Sequence, residues 1–197
     1  MSVKICSFTG RCAAVFLSLV LLSCTPADPI QRFSGPAQGS TYNISYWSEP
    51  QVKAADLQQQ VVKELERIDV AMSNYRPDSV IEQFNAAQHT NLQTVGAELV
   101  ALVEDARRVT EASHGCYDLT VKPLFELWGF KADKFNQPTP AQISETMQWV
   151  GMDKITTTMG GEMSKAIAQM RVDVSSIAQG YTVRKLSALL EQAGVTN

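Results

Sequence analysis

The sequence predicts an α+β fold, with a mixed or antiparallel sheet against which several helices pack. Apolar residues recur at helical spacing in several separate segments, and short β-prone runs lie near both ends of the domain. Helices and strands do not alternate in the strict βαβ order that is typical of a parallel sheet. The hydrophobic share of 45% and the charged share of 19% favour a globular protein over a disordered chain or a coiled coil.

The first predicted strand is followed closely by two helices. Thr41–Trp47 is rich in β-formers and roughly alternates polar with apolar residues, which predicts a strand. Apolar side chains recur at helical spacing over Ala54–Met72, which predicts an amphipathic helix. Ser73–Asp78 is expected to end that helix, and Ser79–Asn85 is expected to form a short second one.

A third and a fourth helix are marked by an apolar stripe and by their terminal residues. The stripe of the third consists of Leu99, Leu102, Val103, Ala106 and Val109. Gly115 lies where a glycine commonly follows a helix C-cap. The fourth begins at Thr139, because Thr139, Pro140 and Gln142 make up a capping box, and it is expected to run to Val150.

Two β-prone runs and a last helix complete the predicted domain. Lys154–Met159 and Ala166–Val174 are joined through the glycine pair at 160–161, which predicts a β-hairpin. Ser175–Ala193 is predicted to be the final helix.

The N-terminal segment has the pattern of an export signal. Lys4 and Arg11 precede the apolar run Ala13–Leu22, which is too short to span a bilayer, and no acid occurs before position 28. Leu21–Cys24 resembles the lipobox of bacterial lipoproteins, in which the cysteine is lipidated. We therefore expect a signal peptide over 1–23 and a protein anchored by Cys24 to the bacterial cell membrane, on its periplasmic side. The alternative is a plain signal peptide with an incidental cysteine.

Composition limits what the exported part can be. Thr25–Gly39 is rich in Pro, Ser, Gly and Gln, which predicts a tether over 24–39 and a domain over 40–197. Only Cys116 remains in that domain, which excludes an internal disulfide and a cysteine-based zinc site. The net charge is −3 and the basic residues are scattered, so nucleic acid is not an expected partner.

Asp118 lies in the middle of the apolar and aromatic stretch His114–Phe130. A buried carboxylate costs several kcal/mol unless it is hydrogen-bonded or coordinates a metal. Taken alone, the residue favours a capping role toward the backbone N–H groups of the next turn. Trp128 and Phe130 are expected in the core, and Tyr75 is expected to cover the surface beside a helix end.

The segment Val172–Tyr181 has features of a phosphate-binding turn. We expect Asp173 to end a strand, small residues to follow it, and a helix to begin with Gly180 in its first turns. Small residues let the backbone approach a phosphate, whose charge suits a helix N-terminus. An acid at that point can hold a divalent cation or a ribose hydroxyl.

In their order and spacing, four segments resemble the ApbE family, the FAD:protein FMN transferases. They are QGSTY at 38–42, MSNYRPDSVIEQFN at 72–85, GCYDLTVKPLFELWGF at 115–130 and DVSSIAQGYTVR at 173–184. The Asp-x-Thr-x-x-Pro-Leu and Trp-Gly-Phe block is the most specific of them. The resemblance covers nearly all of the exported part and implies an ApbE-like, T-fold-like domain.

The resemblance implies an Mg²⁺-dependent transfer of FMN from FAD to a threonine hydroxyl, with release of AMP. Acceptors in the family are subunits of membrane redox complexes exposed outside the cytoplasm. Carried over by position, the residues of the FAD site are Gln38, Tyr75, Cys116, Tyr117, Asp118, Asp173 and Gln179. Ser176 is assigned to the metal through its backbone carbonyl, and no catalytic base is assigned.

The chain departs from the family pattern at three positions. Gln38 replaces a usual methionine, Gln179 replaces a usual lysine, and Arg184 stands where an aspartate is common. The family's Gly-Gly-Glu strand and its later acidic metal ligands would lie beyond Asn197. We therefore expect the parent protein to be a transferase and the 197 residues alone to be inactive. The alternatives are a lipid-anchored flavin-binding protein without catalysis, and an inactive truncated remnant.

Overall fold

The computed structural model describes residues 30–47, 52–130 and 135–196, in which two small antiparallel sheets pack against helices. In chain order the elements are β1 (Gln31–Ala37), β2 (Ser40–Tyr46), α1 (Ala54–Met72), α2 (Val80–Ala86), β3 (Gln93–Thr94), α3 (Ala97–Ala112), α4 (Lys122–Leu127), α5 (Pro140–Met147), β4 (Ile155–Thr157), β5 (Glu162–Lys165) and α6 (Ser175–Gln192). Short 3₁₀ turns form at Leu119–Val121 and Met152–Lys154. The α+β prediction is confirmed.

The predicted export signal and lipidated Cys24 lie outside the described residues. Within the described ranges, none of the helices combines the length and the apolar character that a membrane crossing requires.

β1 and β2 form a hairpin over a segment that was expected to belong partly to the tether. Ala37 pairs with Ser40, and the two turn residues, Gln38 and Gly39, have φ angles of 51° and 73°. Two left-handed turn residues give the twist that a two-residue hairpin needs. The tether prediction was therefore wrong for Gln31–Ala37, whereas the predicted strand Thr41–Trp47 is confirmed as β2.

The hairpin packs against two helices. One apolar cluster joins its inner face to α1 and α6, and the most buried members of that cluster are Val61, Leu65 and Leu186. The C-terminal half of α1 instead faces the main core through Ile68 and Met72. α1 thus lies between the hairpin and the rest of the domain.

The main core is built from α2, α3, the second sheet and the chain before α6. The fully buried side chains of α3 are Leu99, Leu102, Val103 and Ala106, which confirms four of the five predicted stripe positions. Val109, the fifth, is about half exposed. Gly115 follows α3 with a φ of 84°, as its predicted position requires.

The second sheet has the strand order β3-β5-β4. The hairpin turn lies at Gly160-Gly161 as predicted, but its second arm is Glu162–Lys165 and not Ala166–Val174. Gly161 has a φ of 80°, and a Cβ there would lie 2.9 Å from the backbone nitrogen of Ala97. The close approach of β5 to the start of α3 therefore requires glycine at this position.

The chain from 166 to 174 contains no strand, so the expectation that Asp173 ends one was wrong. Asn85 bonds both backbone groups of Val172, and the N–H of Asp173 donates to the carbonyl of Leu119 at 2.8 Å. Side-chain and loop partners satisfy the backbone groups that a neighbouring strand would otherwise satisfy.

The aromatic residues at the end of the apolar stretch are less buried than expected. Phe130 is 67% exposed and meets Phe125 edge to face, with ring centroids 6.0 Å apart. Trp128 is half-buried against Phe135. The core prediction was wrong for Phe130, whereas Leu119 and Pro123 from the same stretch are buried.

The capping box that begins α5 is present. The Thr139 hydroxyl accepts from the N–H of Gln142, and the Gln142 side chain accepts from the N–H of Thr139. The helix ends at Met147, three residues before the predicted Val150.

Candidate functional site

A cavity of about 600 Å³ lies between the β1–β2 hairpin, the end of α1 and the first turns of α6. Three of the residues assigned by resemblance line it, namely Gln38, Tyr75 and Gln179. Tyr75 is 84% exposed at the rim, as expected for a surface residue beside a helix end. The walls also include Asn74 and Ser175.

Gln38 connects the hairpin to α6 across one side of the cavity. Its Nε2 donates to Oγ1 of Thr182 at 3.2 Å, and the Thr182 hydroxyl donates to the carbonyl of Ala178 at 2.9 Å. Gln38 is exposed, as its position at the end of a predicted tether suggested, but it belongs to the hairpin and not to a tether. The hairpin tip is held to the helix by this contact.

Asp173 lies beside the cavity and is joined to two of its lining residues. Asn74 Nδ2 donates to Asp173 Oδ1 at 2.7 Å, and the N–H of Ser175 donates to the same oxygen at 2.8 Å. The Ser175 hydroxyl is a third partner of Oδ1. Among the described residues, Oδ2 of Asp173 has no hydrogen-bond partner. One carboxylate oxygen is therefore fixed and the other is free to bind.

The turn at 116–118 does not line the cavity. Cys116 is exposed, and the Tyr117 hydroxyl is 2.9 Å from the hydroxyl of Ser176 in the first turn of α6. This contact joins the turn to the helix N-terminus.

Asp118 caps the 3₁₀ turn that follows it. Its Oδ1 accepts from the N–H of Thr120 at 2.7 Å and from the Thr120 hydroxyl at 2.5 Å. Its Oδ2 accepts from the N–H of Met152 at 3.2 Å. Both oxygens of Asp118 are occupied within the protein, which is the capping role that the residue alone predicts.

The assigned residues thus form two groups. Gln38, Tyr75 and Gln179 line the cavity. The other five do not line it, namely Cys116, Tyr117, Asp118, Asp173 and Ser176. Asn74 and Ser175 link the groups, because both line the cavity and both donate to Asp173.

Sequence reasoning missed Asn74 and Thr182 as individual site residues. Asn74 was included only in the segment expected to end α1, although its place between a helix end and Tyr75 is one signal that could have singled it out. Asn74 Oδ1 is buried without a hydrogen-bond partner in the described part of the chain. Thr182 lies three residues after Gln179, which puts both on one face of α6.

The cavity wall contains no basic residue among the positions described. Its one charged lining residue is Asp69, which pairs with Arg76 at 3.3 Å. Arg184, which departs from the family pattern, lies over the ring of Tyr181 at 5.5 Å and is not part of the wall. The N-terminus of α6, where Ser175 lines the wall, is the positive end of the helix dipole.

The described residues do not complete a magnesium site. No group of three or more His, Cys, Asp or Glu side chains lies close enough to hold a metal in the ranges that the structure covers. Ser176 would contribute one carbonyl, and Mg²⁺ requires near-octahedral oxygen coordination.

Known proteins resemble this chain in sequence and in structure. The family model described as "ApbE family" matches residues 38–197. The FAD:protein FMN transferase of Haemophilus influenzae is 34% identical, over 93% of this chain and 56% of the relative. The flavin transferase ApbE of Vibrio cholerae superposes with a TM-score of 0.80 at 32% identity, over 86% of this chain and 56% of that one. The apo flavinyl transferase ApbE of Pseudomonas stutzeri has a TM-score of 0.80 at 31% identity, over 86% and 55%.

The chain spans about half the length of the relatives that it matches. The family match covers the hairpin tip, α6 and every residue that lines the cavity except Ala37. This chain belongs to the ApbE family.

Proposed function

We propose that the protein is a flavin transferase that moves FMN from FAD onto a threonine hydroxyl of a target protein and releases AMP. The observation that carries the proposal is the free Oδ2 of Asp173 beside a cavity at the N-terminus of α6. The names of the relatives, which are FAD:protein FMN transferases, support the same activity.

The cavity offers suitable groups for the parts of FAD. Tyr75 presents an exposed ring at the rim, against which the flavin can stack. Gln38 and Gln179 offer amide groups to the polar edge of the flavin or to the ribityl hydroxyls. The pyrophosphate suits the N-terminus of α6, where Ser175 and Ser176 leave small side chains near the backbone.

The proposed reaction makes one bond and breaks one. The threonine oxygen bonds to the phosphorus of the FMN half, and the bridging P–O bond breaks, with its electron pair leaving on AMP. The threonine proton passes to a base that we do not assign. Bound Mg²⁺ would stabilise charge on the phosphate oxygens, with the carbonyl of Ser176 as one ligand. Because the described residues do not complete that site, we assign no step to the metal.

We propose that the protein acts at the periplasmic face of the bacterial cell membrane, held there by a lipid on Cys24. The proposal rests on the lipobox-like segment that follows a short apolar run. Its acceptors would be subunits of membrane redox complexes that expose the target threonine on that side.

The activity can be tested with the gene at its own locus. We expect deletion of the gene to remove covalently flavinylated bands, seen by their fluorescence in a denaturing gel, and a wild-type copy to restore them. The strain should first lose any other flavin transferase gene that it carries. Flavinylated bands that persist in full after the deletion would contradict the proposal.

The lipid anchor is tested by Cys24→Ser. A multiply acylated N-terminus stays bound to a membrane, whereas an unlipidated one leaves the protein as a precursor or as soluble material. We expect labelled fatty acid to enter the wild-type protein and not the variant. Label in the Cys24→Ser protein would show that Cys24 is not the anchor.

The alternative is a flavin-binding protein without catalysis, which the absence of a basic lining residue in the described wall favours. In that case FAD would bind reversibly. Purified protein incubated with FAD, Mg²⁺ and an acceptor would then bind flavin and form neither AMP nor a covalent product.

A further inference from the structure

The segment that carries Asp173 is held by side chains in place of a neighbouring strand. Asn85 Oδ1 accepts from the N–H of Val172 at 2.7 Å, and Asn85 Nδ2 donates to the Val172 carbonyl at 2.9 Å. These two bonds have the pattern that a strand would make with this residue. Both Asn85 and Val172 are fully buried, so water cannot replace either bond.

Lys165 holds the same segment two residues earlier. Its ammonium donates to the carbonyl of Met170 at 3.2 Å and to the carbonyl of Asn85 at 3.3 Å, and it lies 5.5 Å above the ring of Phe84. The side chain is 1% exposed, and among the described residues no carboxylate lies within salt-bridge distance of it. A buried charge that has only neutral partners is costly, so Lys165 is a poor choice for stability alone.

The same network reaches the turn of Asp118. Glu82 pairs with Lys122, and its Oε1 also accepts from Asn85 Nδ2 at 2.9 Å. Lys122 directly follows the 3₁₀ turn whose Leu119 carbonyl accepts from the N–H of Asp173. The backbone that leads into Asp173 is thus fixed by one buried polar network.

We propose that Asn85 and Lys165 are positioning residues, which fix the backbone before Asp173 so that its free Oδ2 points to the bound substrate. The role of that oxygen rests on the proposed function, with FAD as the ligand at this site. We call Asn85 and Lys165, with their bonds to Val172 and Met170, the clamp. It acts through the backbone, because Asn85 orients the peptide groups of Val172 and Lys165 orients the carbonyl of Met170. Asp173 is the next residue in the chain after Val172.

Lys165 gives the sharper test, because a positioning role predicts weaker FAD binding at nearly unchanged stability, whereas a purely structural role predicts lower stability at unchanged FAD binding. Lys165→Met keeps much of the length of the side chain and removes the buried charge, a change that is often neutral or stabilising in a core. It also removes the donor to the buried carbonyls of Met170 and Asn85, and the cost of leaving them without a donor offsets the gain from losing the charge. We therefore expect a melting temperature close to that of the wild type, together with about 10-fold weaker FAD binding or slower flavin transfer.

Two further variants of the full chain complete the experiment. Asn85→Asp keeps the acceptor for the N–H of Val172 and removes the donor to its carbonyl and to Glu82. Because the introduced carboxylate is buried beside that of Glu82, we expect a lower melting temperature, together with FAD binding weakened about 10-fold or more. Ile81→Val is the control, because Ile81 is fully buried one turn earlier on the same helix and bonds to no part of the clamp. It should lower the melting temperature slightly and leave FAD binding unchanged.

Amide hydrogen exchange separates failure of the clamp from failure of the proposed function. It requires no ligand, and we expect exchange at 170–176 to rise about 10-fold or more in Lys165→Met, with α3 unchanged. If the wild type neither binds nor transfers flavin, the proposed function fails while the exchange result still decides the clamp. Unchanged exchange at 170–176 in Lys165→Met and Asn85→Asp would overturn the proposal, as would flavin binding that falls equally in Ile81→Val.

Discussion

Asp118 and Asp173 begin turns of the same local kind, and they differ in what happens to their second oxygen. In Asp118-Leu-Thr and in Asp173-Val-Ser, Oδ1 accepts from the N–H and the hydroxyl of the residue two positions later. The second oxygen of Asp118 accepts from the N–H of Met152. That of Asp173 has no partner in the described structure.

The difference indicates that one local pattern serves two purposes. Both oxygens of Asp118 are hydrogen-bonded within the protein and stabilise its turn. In that turn, the carbonyl of Leu119 accepts from the N–H of Asp173. Asp173 receives one more donor, Asn74, on the oxygen that is already engaged. A carboxylate that is held rigidly by one oxygen and left free at the other is prepared for a ligand. We therefore expect Asp118 to support the proposed site and Asp173 to belong to it.

The largest expected effect is that of Asp173→Asn. The amide oxygen can keep the bonds to Asn74 and Ser175, so the fold should hardly change, whereas the charge at the free position is lost. Once bound FAD excludes water from this half-buried carboxylate, loss of its charge should cost about 2–5 kcal/mol, which corresponds to roughly a 30-fold or greater loss of rate. Flavin bands in a denaturing gel, from a strain that carries the change at the chromosomal locus, measure this loss.

A folded Asp173→Asn protein that labels its acceptors normally would show that Asp173 is only a turn residue. The assignment of the site would then be wrong. A thermal melt of the purified variant, within about 2 °C of the wild type, is the required control for folding.

The second prediction concerns Asp118→Asn, which should affect stability more than activity, whereas Asp173→Asn should affect activity more than stability. If the oxygen of the introduced amide keeps the bonds to Thr120, its NH₂ group lies opposite the N–H of Met152, where an acceptor is needed. An N–H left without an acceptor costs about 1–3 kcal/mol, and in a chain of this length 1 kcal/mol lowers Tm by about 2–4 °C. We expect a lower Tm by calorimetry, and flavin transfer within about threefold of the wild type when it is assayed well below Tm.

The sequence alone could not distinguish the two turns, because Asp-x-Thr and Asp-x-Ser predict the same local hydrogen bonds. What separates them is Met152, which lies 34 residues from Asp118 and is brought beside it by packing. Helical spacing predicted α1 and α3, and the capping box predicted the start of α5, because these signals lie within a few residues of one another. The residues of the site itself came from the resemblance to a family.

The strand errors have a physical cause as well. β1 contains Ser, Gly and Pro, the composition of a linker, yet its alternate residues pack inward and its partner follows after two residues. Ala166–Val174 has the composition of a strand, but Asn85 and Lys165 provide the hydrogen bonds that a partner strand would make. Tertiary packing determines whether each of these two segments forms a strand, and local sequence patterns do not predict that packing.

The third prediction concerns Lys165 and the pH dependence of the free energy of unfolding. Burial lowers the pKa of Lys165 from 10.5 to about 8, with a smaller contribution from the charge of Arg171. Between pH 8 and 10.5 the unfolded chain therefore binds more protons than the folded one, so the free energy of unfolding should rise with pH, by at most about 3 kcal/mol. Tyr46 and Tyr181, whose pKa values are raised by burial, have the opposite effect above about pH 10.

Denaturant unfolding of wild type and Lys165→Met across this range isolates the lysine, because the tyrosines are common to both. The wild type should gain stability relative to the variant as pH rises from 8 to 10.5. A constant difference would mean that the Lys165 ammonium stays charged throughout, and that its two carbonyl partners stabilise it more than the burial suggests.

The smallest expected effect is at the hairpin tip, which one side-chain hydrogen bond joins to Thr182 of α6. Gln38→Ala removes the donor to Thr182 and keeps a non-glycine residue at a φ of 51°, so the cost of the turn is unchanged. Thr182→Val removes the acceptor and keeps the shape of the side chain. A single hydrogen bond contributes about 0.5–1.5 kcal/mol, so each change alone should weaken FAD binding about two- to tenfold.

If the bond between Gln38 and Thr182 acts by closing the hairpin over the flavin, the double variant should bind FAD no more weakly than either single variant. Fluorescence titration with FAD measures the affinities of this double-mutant cycle, and fully additive losses would show that Gln38 contacts the flavin independently of Thr182.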